Sequence, residues 1–383
     1  MKSISVLTTI EANHGSCVFD YSLNTILKKF LPSHQVRFIK YQPWRRAFNE
    51  FLRTLKPNMK IPLYNILRYQ RLMTFEYENL GIDRIPYGPY SITVNRLIKK
   101  QYDVIIAGKV IWDLTHFRLI QKFPNLFWLS EKIPAVKIAY AVSGHRTNMD
   151  MLKKIREDVK RILCTYALIG VRDDLTMQMM VEAGVDKHVT VLKVPDPAFM
   201  YEAKPLDMNF LLKKYNITTD RPIIGLLLFG KPELSAAVCR HYRAKGYQIV
   251  NFNMFNPFVD INLGHLIDPF EWAALFKSLT FCITDRFHCS VFCIKYNIPF
   301  VAIEPYEPRT LLNSKVYDLL KEFGLTECYQ NTYAPEFDLP GFLSVCVQIE
   351  DNWQTDFHDR VAQKAIEGEE RNKAFIKLIQ ELI

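Results

Sequence analysis

The sequence predicts an α/β protein built from two doubly wound, Rossmann-like domains that face a cleft. Short β-rich runs alternate with helical patterns along the whole chain, which is typical of parallel sheets with crossover helices. The predicted strands, such as Phe281-Cys282-Ile283, are apolar nearly throughout, as expected for sheets covered on both faces. With 383 residues the chain is long enough for two cores, since a domain usually takes about 100–200 residues.

The predicted strands form two series. The first covers Ser3–Thr9, Gln35–Lys40, Asp103–Ala107, Val136–Val142, Leu168–Val171 and Val189–Val194. The second covers Ile223–Phe229, Gln248–Phe252, Thr280–Thr284 and Phe300–Ile303. Helical patterns lie between most of them, at Phe19–Phe30, Asp150–Leu163, Leu175–Ala183, Pro232–Lys245, Glu271–Ser278, His288–Tyr296 and Ser314–Phe323, and a charged helix is predicted over Thr355–Ile383.

The boundary between the two series is predicted near residue 203. Pro195, Pro197 and Pro205 lie close together there, and the alternation of strands and helices restarts after them. We therefore expect an N-terminal domain over residues 1–203 and a C-terminal domain over residues 204–383. In such sheets ligands bind beyond the carboxyl ends of the strands, so a functional site is expected in the cleft between the domains.

Composition excludes several classes of protein. Hydrophobic residues make up 49% and charged residues 23% of the chain, which is too apolar for a disordered protein. No apolar run approaches the roughly 18–20 residues of a membrane-spanning helix, and no secretory signal is visible, so a cytoplasmic protein is expected. The eight cysteines lie in apolar runs without a CxxC pair. We therefore predict no metal site.

The positive charge is concentrated in one segment. Nine Lys or Arg residues and one Glu lie between Arg37 and Arg71, and this stretch accounts for nearly all of the net charge of +9. No nucleic-acid-binding module is recognisable, so no nucleic-acid partner is predicted. Within residues 43–72 an apolar stripe recurs at helical spacing, through Trp44, Ala47, Phe48, Phe51, Leu52 and Leu55. Such a helix can lie on an anionic membrane surface, or its stripe can pack on the sheet while water solvates the charges.

The most informative motif is Thr284-Asp285-Arg286-Phe287-His288. A buried strand ends at Thr284 and a helix follows, which places Arg286 and His288 at a helix N-terminus, where free backbone N–H groups attract anions. Arginine adds a planar fork for phosphate or carboxylate, and histidine exchanges protons near neutral pH. In the equally weighted alternative, Asp285 caps the helix and Arg286 pairs with a surface acid.

Two further polar turns follow predicted strands. Arg172 stands at a strand end in the first series, and either Asp173 or Asp174 is expected to cap the next helix. Asn13-His14-Gly15 follows the first strand, where Gly15 allows a tight turn near a ligand. A solvated arginine and a simple connecting loop are the alternatives for these two turns.

These pieces together resemble the polysaccharide pyruvyl transferase family over residues 4–325. The matching motifs are Asn13-His14-Gly15, Tyr140-Ala141-Val142-Ser143-Gly144, Val171-Arg172-Asp173, Asp196-Pro197, and the Thr284–His288 motif with Pro299-Phe300-Val301. The chain departs from the family pattern after the third strand, where only Gly108 and Trp112 are kept, and at Cys289, where a glycine is common. Arg286 is characteristic of the Arg-x-His branch of the family.

The resemblance implies a fold similar to the glycosyltransferase-B architecture and a defined reaction. Family members transfer the pyruvyl group of phosphoenolpyruvate to two hydroxyls of a sugar, forming a cyclic ketal and releasing phosphate. For this chain we expect galactose or a related hexose in a capsular or exopolysaccharide precursor. Phosphoenolpyruvate is then the donor substrate, no cofactor is expected, and the acceptor is an oligosaccharide or a lipid-linked sugar at the inner membrane face.

The resemblance also assigns roles to individual residues. Arg286 is expected to bind the donor phosphate, Arg172 the phosphate or carboxylate, and His288 to transfer a proton. Lys315 is expected as an additional anion contact. On the acceptor side the implied residues are Asn13, His14, Gly15 and Ser143.

Two other functions remain open at this level. A nucleotide-sugar-dependent glycosyltransferase of the same architecture would use Arg286 and the helix N-terminus for a diphosphate, with Glu304 as the candidate ribose-binding acid. A non-catalytic membrane-surface scaffold would bind neither donor, although the retained Arg172, Arg286 and His288 argue against it.

Overall fold

The computed structural model describes residues 2–9, 11–41, 62–82, 102–114, 123, 125–145, 147–307 and 310–383. Most of the basic segment predicted over residues 43–72, namely residues 43–61, lies outside the described residues. Its remainder forms the start of a helix over Pro62–Leu80.

The first sheet contains strands β1 to β6. They cover Ser3–Thr9, Gln35–Tyr41, Val104–Val110, Val136–Ser143, Leu168–Val171 and Val191–Lys193. The strand order is β2-β1-β3-β4-β5-β6 and every pair is parallel. All carboxyl ends therefore meet at one edge of this sheet.

The second sheet repeats the arrangement with strands β7 to β12. They cover Ile223–Leu227, Gln248–Asn251, Ile261–Asn262, Phe281–Thr284, Phe300–Ile303 and Tyr329–Gln330. Their order is β12-β11-β10-β7-β8-β9, again with parallel pairs throughout. Two parallel sheets with crossover helices confirm the predicted fold class of two doubly wound domains.

Helices connect and cover these strands. In chain order, α1 to α12 are His14–Phe30, Pro62–Leu80, Met149–Lys154, Arg156–Leu163, Asp174–Ala183, Met208–Lys214, Pro232–Ala244, Pro269–Leu275, Phe287–Tyr296, Lys315–Glu322, Leu339–Asn352 and His358–Leu382. Short 3-10 turns cover Leu126–Trp128, Pro197–Met200, Phe276–Ser278, Leu311–Asn313 and Thr326–Cys328, and a π-turn covers Trp353–Phe357. None of the helices in the described ranges is long and apolar enough to cross a membrane.

The core lies on both faces of the first sheet because side chains alternate along each strand. Ile4 and Val6 of β1 point into a core that continues into the second domain. Leu7 of β1 and Ile105 of β3 point into a separate core on the opposite face. Seven of the eight cysteines are buried and all are free, so they pack as small apolar residues of the core.

The C-terminal helix α12 returns to the first sheet. The hydroxyl of Tyr140 on β4 donates to Oδ1 of Asn372 over 2.7 Å. Phe375 packs directly over Gly170 of β5, where an added Cβ would lie 2.7 Å from the phenyl ring. The chain therefore crosses from the second sheet back to the first, and the boundary at residue 203 stays a prediction.

Several element boundaries differ from those expected, each for a local reason. Helix α1 begins at His14 instead of Phe19, because Asn13 caps it by accepting from the backbone N–H of Gly15. The helix expected over Asp150–Leu163 is divided at Ile155. Of the two candidate caps, Asp173 and Asp174, Asp173 is the N-cap of α5 and accepts from the N–H of Thr176. The helices α6 and α11 and the two-residue strands β9 and β12 were not predicted.

Candidate active site between the two sheets

Residues from both sheets meet where the carboxyl ends of their strands face each other. Arg172 follows β5 of the first sheet, and Arg286 and His288 follow β10 of the second. Lys315 begins α10, and Ser314 caps that helix by accepting from the N–H of Tyr317. Because parallel strands end at the same edge, these side chains converge without being near in sequence.

Asp196 is the buried centre of this group. Its Oδ2 accepts from Nη1 of Arg172 over 2.7 Å and lies 3.5 Å from Nε2 of His288. Its Oδ1 accepts from the N–H of Ala198 over 2.9 Å. Burial would raise the pKa of Asp196, but His288, Arg172 and the backbone donor together lower it to about 2. One ionised carboxylate thus joins a cation of the first domain to an imidazole of the second.

Burial favours the neutral form of His288. Burial lowers its pKa below the usual 6.5, and the charges of Arg172 and Lys315 lower it further against the opposing effect of Asp196. A carboxylate only accepts hydrogen bonds, so we assign the proton of the neutral ring to Nε2, the nitrogen that faces Asp196. Nδ1 then keeps its lone pair and can accept a proton.

Gly15 allows α1 to approach His288. A Cβ added at Gly15 would lie 2.4 Å from Cβ of His288 and 2.7 Å from its Nδ1. The first turn of α1 therefore lies directly against the Nδ1 edge of the imidazole. Since the clashing atoms are close to the His288 backbone, they cannot move aside by a change of rotamer alone.

Replacing Gly15 by alanine is expected to push α1 away from His288. We expect a loss of about 1–3 kcal/mol in the free energy of unfolding, typical of overpacking, and at least a tenfold loss of activity. Gly368→Ala is the matched control, since its added Cβ would lie 3.3 Å from the ring of Phe323 and 3.5 Å from that of Phe199, without a severe clash. Denaturant unfolding and steady-state rates check both variants, and equal behaviour of the two would contradict the close contact.

Arg172 and Lys315 share the ring of Phe287. The guanidinium carbon of Arg172 lies 4.5 Å and Nζ of Lys315 lies 5.7 Å from the ring centroid. Burial lowers the pKa of Lys315 to about 8, and the charges of Arg172 and Arg286 contribute to this effect. The charges of Glu11 and Asp173 oppose this lowering, but within the described ranges no hydrogen bond or ion pair to Lys315 is found.

Arg286 stands at the N-terminus of α9, as predicted. It is the N-cap residue, and no side chain caps the free N–H groups of the first turn. Asp285 does not cap the helix, since its Oδ2 accepts from the N–H of Phe229 over 2.8 Å and its Oδ1 lies 2.9 Å from Nε of Arg286. Burial raises the pKa of Asp285, and Arg286 opposes that rise. The helix end remains open for an anion.

The side chains of this site differ in their exposure to solvent. The side chains of Arg286 and His288 are 24% and 19% exposed, whereas that of Arg172 is 4% exposed. Arg286 and His288 therefore border the open part of the site. Arg172 lies deeper, but its Nε is buried without a hydrogen-bond partner and keeps one donor for a ligand.

The acceptor-side candidates make mainly local contacts. Asn13 caps α1, and Oγ of Ser143 accepts from the N–H of His145 over 3.0 Å. His14 is fully buried and reaches the second domain, where its Nε2 contacts the carbonyl of Ile267 at 3.3 Å and its ring stacks on Trp272. Burial and the charge of Arg68 hold the pKa of His14 well below its usual range. The structure thus brings together Arg172, His288, Lys315 and Gly15, with Arg286 beside them.

Sequence reasoning missed a supporting lysine. Lys109 follows Gly108 in the motif that departs from the family pattern, adopts φ = 70°, and is buried. Its Nζ donates to the carbonyl of Thr9 over 2.9 Å, to Oγ of Ser16 over 2.7 Å, and to Asp20. These bonds tie the end of β3 to the first turns of α1, and so to Gly15. A lysine inside an apolar strand end is the signal that could have indicated it.

Glu304 bonds to neighbouring side chains that position the site. Its Oε2 accepts from Oγ of Ser314 and from the hydroxyl of Tyr329, the latter over 2.9 Å. It therefore fixes the cap of α10 and with it the position of Lys315. Across the part of the chain that the structure describes, no group of three His, Cys, Asp or Glu side chains is arranged to hold a metal ion.

The family model of the polysaccharide pyruvyl transferases matches residues 12–306. That range covers well over half of the chain and contains Arg172, Asp196, Arg286 and His288. The chain belongs to the polysaccharide pyruvyl transferase family. Lys315 lies beyond the matched range of this pyruvyl transferase, and no curated protein sequence matches the chain.

Solved structures share the fold of the pyruvyl transferase. The S. aureus MnaA–UDP co-structure is 14% identical with a TM-score of 0.53, covering 100% of this chain and 98% of that one. The UDP-GlcNAc 2-epimerase from Neisseria meningitidis bound to UDP-GlcNAc is 11% identical with a TM-score of 0.54, covering 100% of both chains. The UDP-N-acetylglucosamine 2-epimerase from Rickettsia bellii is 10% identical with a TM-score of 0.55, covering 100% and 96%. At these identities the likeness concerns the fold alone.

Proposed function

We propose that this protein transfers the pyruvyl group of phosphoenolpyruvate to two hydroxyls of a sugar, forming a cyclic ketal and releasing phosphate. Galactose or a related hexose in a capsular or exopolysaccharide precursor is the proposed acceptor. The observation that carries the proposal is the convergence of Arg172, Lys315 and Arg286 around Asp196 and His288. Family membership supports the same reaction class.

The charge balance of the site favours a small, strongly anionic donor. Asp196 and Asp285 form ion pairs with Arg172 and Arg286, whereas no ion pair to Lys315 is found within the described ranges. Buried cations without compensation are costly, so an anion that reaches all three groups would stabilise the site. Phosphoenolpyruvate carries a phosphate and a carboxylate on one short skeleton. In this proposal Arg286 and the end of α9 hold the phosphate, and Arg172 with Lys315 hold the carboxylate.

The protonation state of His288 suits the first step. Its neutral ring accepts the proton of the first sugar hydroxyl as that oxygen bonds to C2 of the donor, and it returns the proton to C3. The C2–O bond to phosphate then breaks, and the second hydroxyl attacks C2. The proton of the second hydroxyl leaves with the phosphate, so both hydroxyl protons are accounted for. Asp196 positions the ring and stabilises its charged form between the two proton transfers.

Calorimetry with three donors tests this function. We expect phosphoenolpyruvate to bind, with UDP- and GDP-sugars binding much more weakly, and phosphate to be released when an acceptor oligosaccharide is added. Binding of a nucleotide sugar but not of phosphoenolpyruvate would instead establish the glycosyltransferase. Glu304, the candidate ribose ligand of that alternative, is already bonded to Ser314 and Tyr329. If none of the three donors binds, the non-catalytic membrane-surface scaffold is the function that remains.

Peripheral attachment to the inner face of the membrane is part of the proposal. A lipid-linked acceptor would be presented there, and the basic segment over residues 43–72 is the proposed contact. In the described part of that segment, Leu63 and Leu67 are exposed on one side of α2. An exposed apolar pair beside basic residues is typical of a helix that lies on an anionic surface.

A further inference from the structure

Helix α2 spans both halves of the active-site region. At its start, the hydroxyl of Tyr64 donates to the carbonyl of Asn253 over 2.7 Å, and its ring lies 4.3 Å from that of His265. Near its end, Oε1 of Glu76 accepts from Sγ of Cys17 on α1 over 3.5 Å. The helix is therefore anchored to the second domain at one end and to α1 at the other.

Arg68 lies on the anchored face of α2. It follows Tyr64 by four residues and precedes Leu72 by four, and residues at this spacing share one face of a helix. Tyr64 and Leu72 are buried, so the stem of Arg68 points between the same two domains. Asn253 links this face to the site, since its Nδ2 lies 3.4 Å from Sγ of Cys289, the residue after His288.

The guanidinium of Arg68 lies close enough to Arg286 and His14 for its charge to act on both. Nε of Arg68, Nη2 of Arg286 and Nδ1 of His14 are each buried without a hydrogen-bond partner. Burial lowers the pKa of Arg68 to about 10, with a contribution from the charge of Arg286, and the charge of Arg68 in turn lowers the pKa of His14. Folded proteins rarely leave such groups unsatisfied, and within the described ranges no carboxylate pairs with Arg68.

We propose that Arg68, together with the adjoining edge of Arg286, binds a phosphate group of the acceptor, the phosphate ester that links the acceptor sugar to its carrier. This inference rests on the proposed function, in which Arg172, Lys315, Arg286 and the end of α9 hold the two anionic groups of the donor, and it uses only the Nη2 edge of Arg286 that has no partner in the protein. A guanidinium fork matches a phosphate ester in shape and charge. Nδ1 of His14 offers an acceptor for a sugar hydroxyl beside it.

Inorganic pyrophosphate is the probe for this second anion site. Calorimetric titration of the wild-type protein already saturated with phosphoenolpyruvate is expected to show binding of pyrophosphate. In Arg68→Gln we expect the affinity for pyrophosphate to fall about tenfold or more, with the affinity for phosphoenolpyruvate unchanged within about twofold. Arg71→Gln is the matched control, because Arg71 is exposed on the same helix and carries the same charge. Thermal unfolding verifies that each variant is folded, and Arg68→Lys is expected to recover part of the binding.

Three results would overturn the inference. The first is that pyrophosphate does not bind the wild-type protein that holds phosphoenolpyruvate. The second is that Arg68→Gln weakens the binding of phosphoenolpyruvate as strongly as that of pyrophosphate. The third is that Arg71→Gln loses as much affinity for pyrophosphate as Arg68→Gln. If phosphoenolpyruvate itself does not bind the wild-type protein, the proposed function fails. The same comparison of Arg68→Gln and Arg71→Gln in the ligand-free protein then still decides whether Arg68 holds a phosphate.

Discussion

Alanine at either Arg286 or His288 is expected to abolish ketal formation, with kcat/KM falling by about a thousandfold or more. Both side chains are partly exposed at the border of the site, so neither change opens a cavity in a core. We therefore expect His288→Ala to unfold within a few degrees of the wild-type Tm. Arg286→Ala is expected to lose more stability while remaining folded, because it leaves the buried carboxyl of Asp285 without its ion-pair partner. Phosphate release in the presence of acceptor measures the activity.

The two variants are expected to fail in different ways. Arg286→Ala removes a ligand of the donor phosphate, so the affinity for phosphoenolpyruvate falls together with kcat. His288→Ala removes a proton acceptor, so donor binding persists while turnover is lost.

Arg243→Ala and His358→Ala are the matched controls, since both residues form exposed ion pairs, with Asp260 and Asp359 respectively. A folded Arg286 or His288 variant with near-normal turnover would exclude the proposed roles.

The fold could be predicted because the information is local. Each long central strand is an apolar run bounded by polar turns. This pattern can be recognised without knowing which strands are its neighbours in the sheet. The missed strands Ile261–Asn262 and Tyr329–Gln330 have two residues each and lie at the edges of the second sheet. Such short edge strands are defined by pairing with a neighbour, so tertiary structure decides them and local sequence does not.

The site could be predicted only in part. The positions of Arg172, Arg286 and His288 follow from topology, because residues after parallel strands must gather at one edge. The link through Asp196 requires the distance between two domains, which no local pattern contains. In the sequence Asp196-Pro197 is only a motif of the family resemblance, and in the structure Asp196 caps the turn that follows it. Its second oxygen joins Arg172 and His288 only after the domains have docked.

The basic segment shows the same limit. Arg68 and Arg71 are both basic residues of one helix, and composition does not distinguish them. Both lie on the side of the helix that carries Tyr64, and the docking of Tyr64 on Asn253 buries Nε of Arg68 while Arg71 stays exposed. For a cluster of charges, the sequence therefore predicts the presence of an anionic partner, and the packing decides which residues meet it.

Replacing Asp196 by alanine is expected to destabilise the protein by about 3–5 kcal/mol, the usual consequence of removing one partner of a buried ion pair. The reason is that Arg172, 4% exposed, would keep its charge without a carboxylate. The double variant Arg172→Met with Asp196→Ala removes that charge as well, so it is expected to lose less stability than the sum of the two single variants. Asp150→Ala, which removes an exposed acid from α3, is the control with no measurable change.

The dependence of this effect on pH provides an independent check. The pKa of Asp196 is about 2 in the folded protein, below the value of about 3.9 for an unfolded aspartate. Its contribution to stability is therefore complete above about pH 4 and is lost as the pH falls from there toward 2. His288 acts in the same sense but at higher pH, because its lowered pKa makes protonation unfavourable in the folded state, so stability also falls as the pH drops below about 6.5. Denaturant unfolding of the wild-type protein and Asp196→Ala between pH 7 and pH 2 measures this effect. We expect the difference between their free energies of unfolding to shrink in the acid range. A difference that stays constant with pH would show that Asp196 is not held ionised by Arg172 and His288.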